Sequence, residues 1–329
     1  MITEIQKITD ESVKLAAKIL RDGGIIGMPT ETVYGLAAAG TISEAVKQVF
    51  AVKGRPNDNP LIAHVHKDYD IEKLVEVERD YVYKLKKLFT PGPLTLVMKS
   101  RGVVCEEATC GGDTLAVRIP SHEGCQKLLK EVNLPIVAPS ANLSKHTSPV
   151  TAEHVFNDLN GKIPLILDGG RCSGGIESTV LDVTGDVPRI LRAGLITKEM
   201  IENAVGACVV AEHKTGDKVK SPGVKYTHYK PRCDTCLYSE EEIEKALIRY
   251  EAEKSAGRTP YIMCRNAVAE LFDGKNILSL GNTEEEIAAS LYAALLDGEK
   301  KADIIIAIDM PSEKGVYLGI TNRLRKSCG

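Results

Sequence analysis

The sequence predicts an α/β fold in two parts, a larger domain with a twisted mixed sheet and a smaller domain with a parallel one. Three observations carry this. Apolar runs of strand length, such as Ile25 to Met28, Leu94 to Met98 and Ile304 to Ile308, alternate with amphipathic stretches of helical period. Some connections in the first two thirds are crossovers and others are hairpins, which gives a mixed sheet. After a polar stretch, Gly216 to Arg232, strands and helices alternate in the manner of a small doubly wound, Rossmann-like domain. The expected boundaries are 1–212 for the first domain, 213–234 for a linker and 235–329 for the second.

The N-terminus opens with a helix-like polar mix. Asp10 to Arg21 places Val13, Ala16, Ala17 and Leu20 on one helical face, and Gly23-Gly24 stops it. Ile25 to Met28 is a buried strand running into Pro29-Thr30-Glu31-Thr32. Ser43 caps a helix to Val52 that Gly54 terminates, and Leu61 to Val65 is a strand. A lysine-rich helix, Tyr81 to Phe89, ends at Pro91-Gly92-Pro93 before a strand from Leu94 to Met98. Thr114 to Ile119 is a strand, and Ser121 caps a helix to about Val132. Ile136 to Ala138 runs into Pro139-Ser140-Ala141-Asn142. Thr151 to Leu159 is helical, Leu165 to Leu167 a strand, Ser178 to Val183 with Arg189 to Leu191 a hairpin, and Thr197 to Val205 a helix. In the second domain, Ser239 and Thr283 each stand three residues before a glutamate and open capped helices. Tyr261 to Cys264, Ile277 to Leu280 and Ile304 to Ile308 are strands, and Tyr317 to Lys326 is a helix.

At 329 residues and 43% hydrophobic content, both parts can bury a core without staples. A net charge of −3 carries no global nucleic-acid signal. Nine scattered cysteines do not form a secreted framework, and Cys233-Asp234-Thr235-Cys236 is a lone CxxC that reads as reduced loop thiols. With no signal pattern and no apolar run of spanning length, a soluble cytoplasmic protein is expected.

The chemistry gathers at strand ends. No Walker motif, HExxH or GxSxG occurs, so any phosphate must be met by side-chain cations and strand-end turns. Lys53 and Arg55 leave a helix C-terminus around Gly54 and before Pro56; they either compensate the helix dipole or aim two cations at an anion. Asn59 before Pro60 adds an amide. Thr30 and Thr32 offer hydroxyls, and His64 ends a strand, where α/β sheets hold ligands. Arg118 stands in an apolar strand, so it points into a cleft or pairs with a carboxylate; Thr114 shares its face. Ser140, Asn142, Ser178 and Arg192 complete a concave, positively lined site for a phosphate and a zwitterion. A Ser-His-Asp reading of Ser140 lacks a nucleophile elbow.

These residues carry a likeness. PTETVYGL (29–36), KGRPNDNPL with His64 (53–64), PGPLTLV (91–97), TLAVRIP (114–120), PSANLS (139–144), STV (178–180), ILRAG (190–194) and SPGVKYTHY (221–229) stand in order over nearly the whole chain. The chain resembles the threonylcarbamoyl-AMP synthase family in its two-domain form, with a YrdC-like catalytic domain. The resemblance implies that L-threonine, bicarbonate and ATP give threonylcarbamoyl-adenylate and pyrophosphate, for threonylcarbamoyladenosine formation at position 37 of tRNA by downstream transfer proteins. It implies that Thr32, His64, Arg118, Ser140 and Ser178 hold threonine. Lys53, Arg55, Asn59, Thr114, Ser140, Asn142 and Arg192 would hold ATP, with Tyr226 closing over it and His228 nearby. Catalysis would be positioning by Lys53, Arg55 and Arg118 without a covalent intermediate, with Mg²⁺ carried by ATP and no protein metal site. The chain departs from the family's pattern at Lys145, where a glycine is usual, and at Val150, where a threonine is common. Two other readings are a double-stranded RNA-binding module and a carbamoyl-phosphate-using transferase.

Overall fold

The computed structural model describes residues 2–211 and 229–329. The expected lid residue Tyr226, His228 and most of the expected linker lie outside the described residues. In the first domain the strands are β1 (Glu4–Lys7), β2 (Ile25–Met28), β3 (Gly35–Ala39), β4 (Ile62–His64), β5 (Val75–Glu76), β6 (Leu94–Ser100), β7 (Thr114–Arg118), β8 (Ile136–Val137), β9 (Leu165–Asp168), β10 (Thr179–Asp182), β11 (Arg189–Arg192) and β12 (Val209–Val210). Its helices are α1 (Asp10–Arg21), α2 (Ser43–Lys53), α3 (Tyr81–Phe89), α4 (Glu106–Thr109), α5 (Glu123–Val132), α6 (Ala152–Leu159) and α7 (Lys198–Val205). Eleven strands run in the order β1-β9-β2-β3-β8-β4-β7-β6-β10-β11-β12, and β5 pairs with β6. Parallel pairs such as β4 with β7 alternate with antiparallel ones such as β7 with β6, so the sheet is mixed.

Local chemistry sets the elements. Thr9 and Ser12 form a reciprocal capping box on α1, whose buried stripe is Val13, Ala16, Ala17 and Leu20. Gly54 takes φ +61° and ends α2. Several expectations need correction. The N-terminal polar mix is the edge strand β1, paired with β9. Ile42 and His122, not Ser43 and Ser121, stand at the N-caps of α2 and α5, and the His122 ring accepts from the Cys125 amide. Gly35–Ala39, assigned to no element from the sequence, is a fully buried strand.

The second domain holds β13 (Asp234–Tyr238), β14 (Pro260–Cys264), β15 (Ile277–Ser279) and β16 (Ile304–Ile308), with α8 (Ile243–Ser255), α9 (Asn266–Ala269), α10 (Glu284–Gly298) and α11 (Tyr317–Cys328). All its strand pairs are parallel, in the order β13-β16-β14-β15. β13 begins one residue before the expected boundary, so Cys236 lies in a strand and not in a loop. The two domains share one apolar core: Ile287, Leu291 and Tyr292 of α10 pack in the same cluster as Val150 and Ile176. Their backbones also touch. A Cβ on Gly175 (φ +68°) would lie 2.4 Å from Ala289 Cα, and one on Gly319 would lie 3.3 Å from Gly194 Cα. Among the described residues, no helix is long and apolar enough to cross a membrane.

Candidate active site

The register brings chemistry to one edge of the large sheet. His64 and Arg118 end the parallel strands β4 and β7 and are paired in register, and Thr95 on β6 faces Arg118. Ser178 precedes β10 at the same edge, and Arg192 ends the antiparallel β11. The turn after β2 and the turn after β8 meet through a bridge between Gly35 and Ser140. They enclose a cavity of about 740 Å³, counting the solvent at its open mouth.

One wall suits an amino-acid zwitterion. Thr30 Oγ1 donates to the Val33 carbonyl at 2.6 Å, so in its 2.9 Å contact with Thr32 it is Thr32 that donates. The remaining capacity of Thr32 Oγ1 is to accept. His64 Nδ1 lies 3.0 Å from the Ile62 carbonyl, which can only accept, so the proton sits on Nδ1 and Nε2 is an acceptor. Burial, with the nearby Arg118 charge, holds His64 neutral by lowering its pKa to about 3. Arg118 is 4% exposed and pairs with Glu31 at 2.8 Å. Burial raises the Glu31 carboxyl, but the Arg118 charge and hydrogen bond outweigh it and hold it below the ordinary value. Of the two roles open to Arg118 in the sequence, the structure shows both, a cavity wall and a carboxylate partner.

The other wall carries cations. Arg55 is half-buried and donates to the Asn59 carbonyl at 3.1 Å; loss of solvent around its guanidinium lowers its pKa to about 10. Arg192 donates to the Ser178 carbonyl at 3.1 Å and to Ser178 Oγ at 3.2 Å, while Ser178 Oγ also contacts Thr95 Oγ1 at 2.8 Å. Lys53 differs from expectation. Its ammonium donates to the carbonyls of Ser140 and of Asn142, the latter at 2.6 Å, so it pins the turn after β8 from beneath. Burial and then the Arg55 charge push its pKa well below the lysine value. The Asn142 amide donates to the Leu143 and His146 carbonyls at 2.9 and 2.7 Å, which folds the same loop.

Thr32, Lys53, Arg55, His64, Arg118, Ser140, Asn142, Ser178 and Arg192 therefore line one cavity. Two expected residues do not. Thr114 opens β7 opposite Lys99, four residues or about 13 Å from Arg118 at strand rise. Asn59 is buried behind Arg55, with neither amide atom bonded. Sequence reasoning passed over Glu31, His146, Ser148, Glu177 and Tyr229, which also face or brace the cavity. Lys145, where a glycine was expected, keeps the left-handed φ of +73° that glycine adopts freely. Its carbonyl accepts from the Lys230 amide at 3.0 Å, and Thr147 donates to the Tyr229 carbonyl at 2.9 Å. Among the described residues no three His, Cys, Asp or Glu side chains gather as metal ligands.

The comparisons with known proteins bear on both halves of the chain. A family model described as telomere recombination, covering the Sua5, YciO and YrdC groups, matches residues 18–194. A second, described as the threonylcarbamoyl-AMP synthase C-terminal domain, matches 196–329. A threonylcarbamoyl-AMP synthase of Bacillus subtilis is 40% identical over 100% of this chain and 96% of that protein. One from Pyrococcus abyssi is 38% identical over 98% and 96%. The crystal structure of P. abyssi Sua5 complexed with L-threonine superposes with a TM-score of 0.89, at 38% identity, over 99% of this chain and 96% of that one. With both halves matched in order and its relatives aligned end to end, the chain belongs to the threonylcarbamoyl-AMP synthase family.

Proposed function

We propose that this cavity joins L-threonine, bicarbonate and ATP into threonylcarbamoyl-adenylate with release of pyrophosphate. The observation that carries the reading is the pairing of two acceptors, Thr32 Oγ1 and neutral His64, with the guanidinium of Arg118 in one cavity that the cations Arg55 and Arg192 also line. A relative of matching fold is complexed with L-threonine. The threonine ammonium meets Thr32 and His64, its carboxylate meets Arg118, and Ser178 lies at the boundary with the nucleotide. Arg55, Arg192 and the Ser140 hydroxyl take the phosphates.

The threonine ammonium gives up one proton, and the amine nitrogen bonds to the carbon of bicarbonate; the C–OH bond breaks, and the hydroxide leaves as water with a second proton from the nitrogen, giving the carbamate. A carbamate oxygen then bonds to the α-phosphorus as the bond to the bridging oxygen breaks and pyrophosphate leaves. The protein contributes alignment and neutralisation of charge on the displaced oxygens. Mg²⁺ fits as a companion of ATP and not as a resident ion, because Glu177, which lines the cavity, and Glu31 behind Arg118 are both engaged with arginines. The adenylate passes in the cytoplasm to proteins that modify tRNA.

The test is incubation with ATP, Mg²⁺, L-threonine and labelled bicarbonate. Pyrophosphate release is expected only when threonine and bicarbonate are both present, with label in the adenylate. Release that ignores threonine overturns the reading.

A further inference from the structure

Behind the nucleotide side of the cavity lies a buried charge network that belongs half to each domain. Glu177 is 6% exposed and directly precedes Ser178. Ser148 donates to its Oε1 at 2.6 Å. Tyr292 of α10 donates to both oxygens, at 3.2 and 3.0 Å, and Arg323 of α11 donates to Oε2 at 3.1 Å. Arg323 is fully buried and also donates to the carbonyls of Ala193 and Gly319, beside Arg192 and within its own helix. Tyr292 stacks on Tyr229, a cavity residue, with ring centroids 5.3 Å apart.

A fully buried ion pair is a poor way to gain stability, because desolvation consumes most of the attraction and apolar side chains of equal volume do as well. Here Glu177 itself lines the cavity. Ser148, Ser178 and Arg192 all line it, and each is tied to Glu177 by a hydrogen bond, by the chain or by charge. Among the described residues, the groups whose charge bears on Glu177 are Arg192 on β11, Arg323 and Lys326 on α11, Tyr292 on α10, Tyr229, and Lys53 on α2. One carboxylate thus faces four cations, and the wall stays positive.

We propose that Arg323, on the last helix of the second domain, is a positioning residue for the nucleotide subsite: through Glu177, and together with Tyr292, it fixes the wall formed by Ser148, Ser178 and Arg192. The second domain is then part of the site and not an appendage to it. Arg323 supplies the counter-charge that lets Arg192 spend its own on the triphosphate. Without it, Glu177 draws Arg192 away from the ligand until protonation of Glu177 releases it.

The ligand assignment rests on the function proposed above, and the experiment separates the two. Dissociation constants of Mg²⁺-ATP and of L-threonine are measured by calorimetry on the full chain at mildly acidic and mildly alkaline pH. Arg323→Met is expected to weaken ATP about tenfold or more at the alkaline pH. L-threonine should shift by about threefold or less, because Thr32, His64 and Arg118 hold it from other elements, the turn after β2 and the ends of β4 and β7. The ATP defect, relative to the unsubstituted protein, narrows at acidic pH, and the charge-balanced Glu177→Gln/Arg323→Met variant recovers most of it. Should Arg323→Met fail to fold, Tyr292→Phe removes only a hydroxyl, and a loss of about threefold in ATP affinity alone is expected. Equal losses for both ligands, no loss for either, or an ATP defect that ignores pH overturns the positioning role. An unsubstituted protein that binds neither ligand overturns the proposed function instead.

Discussion

Arg118 and Glu31 form a buried ion pair at 2.8 Å in the wall of the cavity, the guanidinium from the end of β7 and the carboxylate from the turn after β2. The pair ties two strands that are not neighbours in the sheet. Removing one partner strands the other charge. Arg118→Ala is expected to cost roughly 3–5 kcal/mol of stability, and Arg118→Met/Glu31→Leu distinctly less. Both lose threonine binding. Chemical denaturation read beside threonine calorimetry tests this; equal stability loss in the single and double variants would contradict it.

His146 and His64 give stability opposite dependences on pH. His146 lies 2.7 Å from Asp158 and 3.1 Å from Glu299 of the second domain. Burial lowers its pKa, but those hydrogen bonds and charges outweigh burial and raise it to about 9. Its contribution is therefore complete below the unfolded value near 6.5 and is lost as pH rises toward 9. It amounts to roughly 2 kcal/mol once solvent screening is allowed for. His64, held at about 3, acts in the other sense: the unfolded chain takes up its proton first, so stability falls as pH drops below about 6.5. A stability maximum between the two limbs is expected. His146→Gln should flatten the alkaline limb alone in urea titrations run across pH.

Lys53→Met removes the donor from the half-buried Ser140 carbonyl and the buried Asn142 carbonyl. A loss of roughly 1–3 kcal/mol per orphaned group is expected, with ATP affinity falling in step as the turn after β8 loosens. Lys53→Arg does not rescue it, since a planar fork does not fit a slot built around a compact ammonium. Thermal melts together with ATP titration check this; an intact melting temperature with lost ATP binding would mean that Lys53 meets phosphate directly.

Gly175→Ala is expected to cost more than about 2 kcal/mol, because the new Cβ meets the Ala289 backbone and the residue holds a positive φ. Gly206→Ala, with a positive φ but open space around it, serves as the comparison and should cost about 1 kcal/mol. Similar losses at both positions would remove the close approach as the cause.

Much of this was legible in the chain. The Thr283–Glu286 capping box, the Gly54 stop and the buried run Ile304–Ile308 are local signals, and each stands where the sequence places it. β1 was misread because its partner β9 lies some 160 residues away and its own pattern is polar. β3 was missed because Ala37-Ala38-Ala39 has little strand propensity; burial between β2 and β8 makes it a strand. Strand-end polar residues pointed to the cavity, yet Thr114 shows that a shared face is not a shared end. Glu31 and Glu177 stayed silent because a carboxylate beside threonines or serines looks like turn chemistry until its arginine, 146 residues distant for Glu177, folds against it.

The seam between the domains has a mechanical consequence. Where Gly175 meets Ala289 and Gly319 meets Gly194, backbone rests on backbone. Side chains that cushion most of the interface can repack and absorb a shift; between these two pairs of backbone segments there is no such cushion. A displacement of α10 or α11 is therefore met first by the backbone at Gly175 and at Gly194, the one two residues before Glu177 and the other packed against it.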